Sequence, residues 1–190
     1  MNLPDRPLDP PLERLAGATL SDAELEANQR TLAAPAPSET GARVTLLCFR
    51  AAGERFALPA ACVDRVFAPQ CVRRVPHRRH AAFRGLVAHE GEILPLGSLE
   101  RLLDLPPSDA AHASNARMLA IGPAGRAWAF QVPAVDGVVS VAEHELRPAP
   151  VTVARGLGSA TRLLARLPDG EEAAVLDPES LRSGWEAASR

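Results

Sequence analysis

The chain has no lysine and no tyrosine, and all 21 of its basic residues are arginine. Chemistry that needs a primary amine is thereby excluded, whether a P-loop lysine on phosphates, a Schiff base or a Ser-x-x-Lys acylation site. The three cysteines, Cys48, Cys62 and Cys71, form no C-x-x-C and sit in or beside apolar runs. Neither a disulfide framework nor a zinc knuckle is expected, which favours a reducing cytoplasm. No window approaches the ~20 apolar residues of a membrane span. Pro4, Asp5, Arg6 and Pro7 stand where a signal peptide needs a continuous apolar stretch. A net charge of −2 and a pI near 6.2 give no electrostatic reason to expect nucleic acid as the main partner.

Catalytic constellations are missing too. There is no G-x-S-x-G elbow, and Gly156-Leu157-Gly158 carries Thr161 where a dinucleotide fingerprint needs its third glycine. His77 and His80 make the one close histidine pair, but arginines lie between them and no acidic or thiol ligand is near, so a polar surface is expected rather than a metal site. No cofactor and no enzymatic activity are expected. The strongest charge feature is the basic stretch of Arg73, Arg74, Arg78, Arg79 and Arg84. Phe83 is its only nearby stacking platform, so protein contact or plain solvation is favoured over nucleic acid.

What the chain does have is apolar content, 46% of residues, ample for a packed interior. Residues 1–41 read as an arm and linker rich in proline and alanine, with a short helix over Asp22–Ala33 opened by the Ser21/Glu24 capping box. That arm offers little apolar area and is expected to be dispensable for folding of the rest. From Arg43 onward the texture is short strands separated by turn signals. Val44–Phe49 and Arg55–Leu58 flank Ala52-Gly53-Glu54, Gly85–Ala88 and Ile93–Leu96 flank Glu90-Gly91-Glu92, and Thr161–Leu167 and Glu172–Leu176 flank Pro168-Asp169-Gly170. Helices are expected at Ser98–Leu103 and after the Asp177-Pro178 cap.

A shift of 72 residues aligns the first hairpin with a later segment without a gap. It carries Leu47 onto Leu119, Gly53 onto Gly125, Phe56 onto Trp128, Val63-Asp64 onto Val135-Asp136, Val66 onto Val138 and Pro76 onto Pro148. Turn glycine, core aromatic and Val-Asp-x-Val in one register indicate a duplication. Each half then supplies a hairpin, a lone strand and a second hairpin, and strands this short are expected to close into a small barrel. Trp128 falls at a core position, whereas Trp185 reads equally as a packing residue of the last helix or as a partner anchor.

The segment from Gly85 to Leu99 resembles the most characteristic block of the CheW family, and Leu146-Arg147-Pro148-Ala149-Pro150, preceded by Val135–Val141, is similar to that family's second-barrel strand and tail. The resemblance runs from about Arg43 to the C-terminus. It implies an all-β fold of two pseudo-symmetric five-stranded barrels with short helices, over residues 42–190. It also implies an adaptor coupling a chemoreceptor's cytoplasmic tip to a CheA-type histidine kinase. The kinase contact would fall at Val63 and Arg65, the receptor contact at Gly85, His89, Glu90, Gly91 and Val138. Pro76-His77-Arg78-Arg79 and Ser98-Leu99 are similar to adaptors of Wsp-type surface-sensing pathways. The chain departs from the family at Ala88 and Glu90, which stand for an asparagine and an arginine, and at Gly97-Ser98-Leu99, which replaces an Asp-Leu ending. Arg84 or His89 is a candidate source of the missing positive charge. Two other readings stay open: a kinase-binding module of the same fold without receptor contact, and a nucleic-acid-binding barrel.

Overall fold

The computed structural model describes residues 42–77, 80–107, 113–123, 125–150 and 160–189. The arm of residues 1–41 and its expected helix over Asp22–Ala33 lie outside them. Strands β1 (Arg43–Ala51) and β2 (Glu54–Pro59) form the first hairpin. Ala52 and Gly53 both take positive φ, 49° and 83°, the geometry whose twist matches that of the flanking strands. A lone strand β3 (Val63–Phe67) follows, then the hairpin β4 (Phe83–His89) and β5 (Glu92–Gly97), turned in the same way at Glu90 and Gly91 with φ of 50° and 82°. Helix α1 (Leu99–Leu102) is capped by Ser98. The second half repeats the series with β6 (Arg117–Ile121), β7 (Trp128–Val132), β8 (Ala134–Ala142), β9 (Leu146–Pro148), β10 (Thr161–Arg166), β11 (Glu172–Leu176) and α2 (Pro178–Ala188).

The duplication is visible in the sheets, but each sheet draws on both halves. One has the order β3-β6-β7-β5-β4 and the other β8-β1-β2-β11-β10-β9. Replacing each strand by its counterpart turns the first order into the second, including the single parallel pairing, β5 with β7 and β11 with β2. The expectation of one half per module is thus corrected: each sheet takes its leading hairpin from one half and the lone strand and later hairpin from the other. The sixth strand, β9, has as its counterpart only the isolated bridge between Arg73 and Leu86.

Strand exchange explains the packing. The central strands bury both faces, so their alternation divides the core in three. Leu47, Phe49, Phe56 and Leu58 meet their counterparts Leu119, Ile121, Trp128 and Phe130 in a core shared by the two sheets. The opposite faces fill separate interiors, with Leu46, Cys48 and Ala57 in one and Met118, Ala120 and Ala129 in the other. Burial pushes the Cys48 thiol up to about 11, as befits an inert packing group. Helix α2 seals the shared core: Trp185 stacks on Trp128 at 4.7 Å with planes 9° apart, and Phe83 stacks on Trp185 from 6.0 Å. Trp185 is therefore a packing residue in this fold.

Candidate partner-binding surface

The repeated Val-Asp-x-Val motif encodes a bulge. In β3 the pairing with β6 steps from Val63 to Arg65, and in β8 the pairing with β1 steps from Val135 to Gly137. Asp64 and Asp136 are the skipped residues, so each strand twists at the same place. The consequence is a change of core along one strand. Val63 and Val135 pack against the shared core, whereas Val139 packs into one sheet's own interior and Phe67 into the other's.

Around each bulge an arginine gathers three carboxylates. Arg65 contacts Asp64 at 2.7 Å, Glu92 at 2.8 Å and Glu90 at 3.9 Å. In the other sheet Arg55 contacts Asp136 at 2.8 Å, Asp169 at 2.6 Å and Glu171 at 3.1 Å. The acids are counterparts, but the cation comes from β3 in one case and from β2 in the other. Gly137 occupies the place equivalent to Arg65. Hydrogen bonding to Arg55 holds the Asp169 carboxyl below its ordinary range.

Arg65, expected at the kinase contact, and Glu90, expected at the receptor contact, are therefore neighbours. β3 and β4 are opposite edges of their sheet, yet the Phe67 ring stacks on His89 at 4.0 Å and Arg65 reaches the β4–β5 turn. The two edges approach through side chains. The cation beside Glu90 is mainly Arg65, which the sequence did not suggest because 25 residues separate the two. His89 lies 3.9 Å from Glu90, whereas Arg84 is at the far end of β4, roughly 20 Å along the strand at ~3.3 Å per residue.

The other expected site residues differ in setting. Val63 lines a groove of about 900 Å³ between β3, the β6–β7 loop and α2, together with Cys62, Arg126 and Trp185. Gly85 is buried, with φ of 144°, and a Cβ there would come within 2.4 Å of the Arg73 carbonyl oxygen. Its immediate role is to admit the Arg73–Leu86 bridge. Gly91 completes the exposed turn and has open space around it. Val138 is 61% exposed. Its counterpart Val66 is 41% exposed, and Ile93, beside the Glu90 turn, is 70% exposed. Among the described residues no three His, Cys, Asp or Glu side chains gather to hold a metal, and no helix is long and apolar enough to cross a membrane.

Two interlocked sheets with counterpart strand orders and partly exposed valines on both lone strands define a duplicated, mostly β fold class. A model of the CheW-like domain matches residues 45–184, and the chain belongs to that family. Among solved structures it is similar to the scaffolding protein TtCheW from Thermoanaerobacter tengcongensis, with a TM-score of 0.62 and 18% identity over 72% of this chain and 90% of that one. Comparison with curated proteins finds no match.

Proposed function

We propose that this protein is a chemosensory coupling adaptor that holds a methyl-accepting receptor tip and a CheA-type histidine kinase together in the cytoplasm and catalyses no reaction itself. The observation that carries this reading is the placement of exposed apolar side chains. Val66, Ile93 and Val138 are the large exposed hydrophobics among the described residues, and they lie on or beside the strands that the family resemblance assigns to partner contact. An exposed valine on a sheet edge is ordinary singly; counterpart exposed valines on both lone strands indicate a retained contact surface.

Val63 and Arg65 serve the kinase in this reading, and Glu90, Gly91 and Val138, with His89 supporting the turn, serve the receptor. The Wsp-type branch of the reading rests on residues 76–79 and 98–99 together with the N-terminal arm of residues 1–41. A kinase-only module is the second reading, favoured by Asp64, Glu90 and Glu92 around Arg65, which leave this end acidic where the family has a basic turn.

The test is a pull-down with a CheA-type kinase regulatory domain and a receptor cytoplasmic fragment. Val63→Glu/Arg65→Glu is expected to lose the kinase and keep the receptor fragment, and Val138→Glu the reverse. Retention of kinase without receptor by the wild type supports the second reading. Capture of neither, or salt-sensitive retention of an oligonucleotide in their place, overturns the adaptor.

A further inference from the structure

The duplication supplies an internal control for the surface charges of the chain. Arg84 and Arg162 are counterparts: each is the residue skipped where β4 pairs with β5, between Phe83 and Gly85, or β10 with β11, between Thr161 and Leu163. Arg73 and Arg147 are counterparts as well, since Arg73 opposes Leu86 in β4 as Arg147 opposes Leu164 in β10. The 72-residue shift that sets Pro76 on Pro148 is corrected here, because pairing with the later hairpin moves the equivalence by two residues.

In the second half both arginines are neutralised. Arg162 lies 3.5 Å from Asp177, the cap of α2, and Arg147 bonds Glu172, the first residue of β11. In the first half both acids are gone. The α1 cap is Ser98, and the residue before the inward Leu94 is Ile93. Among the described residues no carboxylate lies within ion-pairing distance of Arg73, Arg74 or Arg84, and all three are exposed.

Two of these cations, Arg74 and Arg84, line a concave site. A cleft of about 420 Å³ is lined by Arg74, Arg84 and His80, with Val72, Val75 and Phe83 as apolar walls. Its backbone is fixed: Arg73 and Leu86 exchange two hydrogen bonds of 2.8 Å, and the Phe83 N–H donates to the His80 carbonyl at 3.0 Å. The Ala82 N–H donates to Nδ1 of His80 at 3.2 Å, so the proton of the neutral ring sits on Nε2. The lining thus holds two guanidiniums and an imidazole donor and no acid.

We propose that this cleft docks an acidic segment of a partner protein, a carboxylate flanked by an apolar side chain. Charge complementarity sets the anion, because Arg84 has no counterpart of the acid that pairs with Arg162 and Arg74 beside it has no carboxylate within ion-pairing distance among the described residues. The apolar walls select a side chain beside it. Nucleic acid fits less well: Phe83 is half-buried and already stacked on Trp185, so it is not a free platform for a base.

Fluorescence anisotropy with a labelled peptide of alternating Glu and Leu tests this on the full chain, with a Gln-Leu peptide and an oligothymidylate as comparisons. The Glu peptide is expected to bind, with the Gln peptide and the Arg74→Gln/Arg84→Gln variant each weaker by ~10-fold or more. Arg162→Gln, at the ion-paired counterpart of Arg84, is expected to stay within ~2-fold, and Arg74→Glu/Arg84→Glu to exchange preference to an Arg-Leu peptide. Thermal melts check that each variant folds. Equal binding of Glu and Gln peptides, indifference to the Arg74/Arg84 substitutions, or tighter binding of the oligothymidylate overturns the proposal.

Discussion

Trp185 stacks face to face on Trp128, ring centroids 4.7 Å apart, and so joins the last helix to the core shared by both sheets. Trp185→Ala removes this contact and that with Phe83 together. The expected loss is ~3–5 kcal/mol, read as a lower denaturant midpoint with loss of the near-ultraviolet dichroism of the stacked pair. An unchanged midpoint would show that α2 contributes nothing to the cooperative unit.

Gly85 and Gly91 both have positive φ but in different surroundings. Gly91→Ala meets open space, so its cost is conformational, ~1 kcal/mol. Gly85→Ala drives a methyl into the Arg73 carbonyl oxygen and must open the bridge, so a loss of at least ~2 kcal/mol is expected. Chemical denaturation of the two variants side by side checks the order, and a larger loss at Gly91 would contradict the close approach at Gly85.

Glu90 is largely exposed and 3.9 Å from Arg65, a pair of the kind whose removal changes stability by ~1 kcal/mol or less. Glu90→Arg should therefore fold as the wild type does, and its effect should lie in recognition. Binding to the chain's own receptor should fall, and binding to a receptor with an acidic tip should rise, because like charges are replaced by opposite ones. Pull-downs against both receptors measure it. Equal binding of wild type and variant to both would remove position 90 from the proposed contact.

Asp177 caps α2, accepting from the Ser180 hydroxyl at 2.6 Å and the Ser180 N–H at 3.2 Å. The Ser180 side-chain bond is the largest cause holding its carboxyl below the ordinary value of 3.8. A folded-state pKa below the unfolded one contributes stability that is present above the unfolded value and lost as pH falls through the folded value. Asp177→Ala should cost ~1 kcal/mol at neutral pH. The gap between wild type and variant should close as pH drops below that of the free carboxyl, which thermal melts across the acid range would record. A gap independent of pH would mean that the carboxylate charge is not what stabilises the helix end.

The hairpins, helix caps and duplication were legible in the sequence because each depends on neighbours along the chain. Ala52-Gly53 and Glu90-Gly91 place left-handed backbone at the turns whatever the strands later pair with, and Asp177-Pro178 opens a helix by local hydrogen bonding alone. Burial of Trp128 followed from its register with Phe56. The residues that the family resemblance assigns to partner contact can be named from the sequence, but their environments cannot: Gly85 is buried under Arg73, while Glu90 leans on an arginine from another strand.

Those environments depend on contacts distant in sequence, which only the tertiary structure decided. The sequence by itself determined two copies of one strand series and the local geometry of each turn. It did not determine that each sheet would exchange hairpins with the other, because pairing β1 with β8 or β3 with β6 satisfies the same backbone groups as pairing within a half. Burial selected the exchange: it lets the central strands cover both faces, one within a sheet and one between sheets. The same long-range placement decided the charges. Asp177 and Glu172 reach arginines in the second half, while Ser98 and Ile93 leave Arg84 and Arg73 without a carboxylate partner among the described residues, a difference that charge counting along the chain does not reveal.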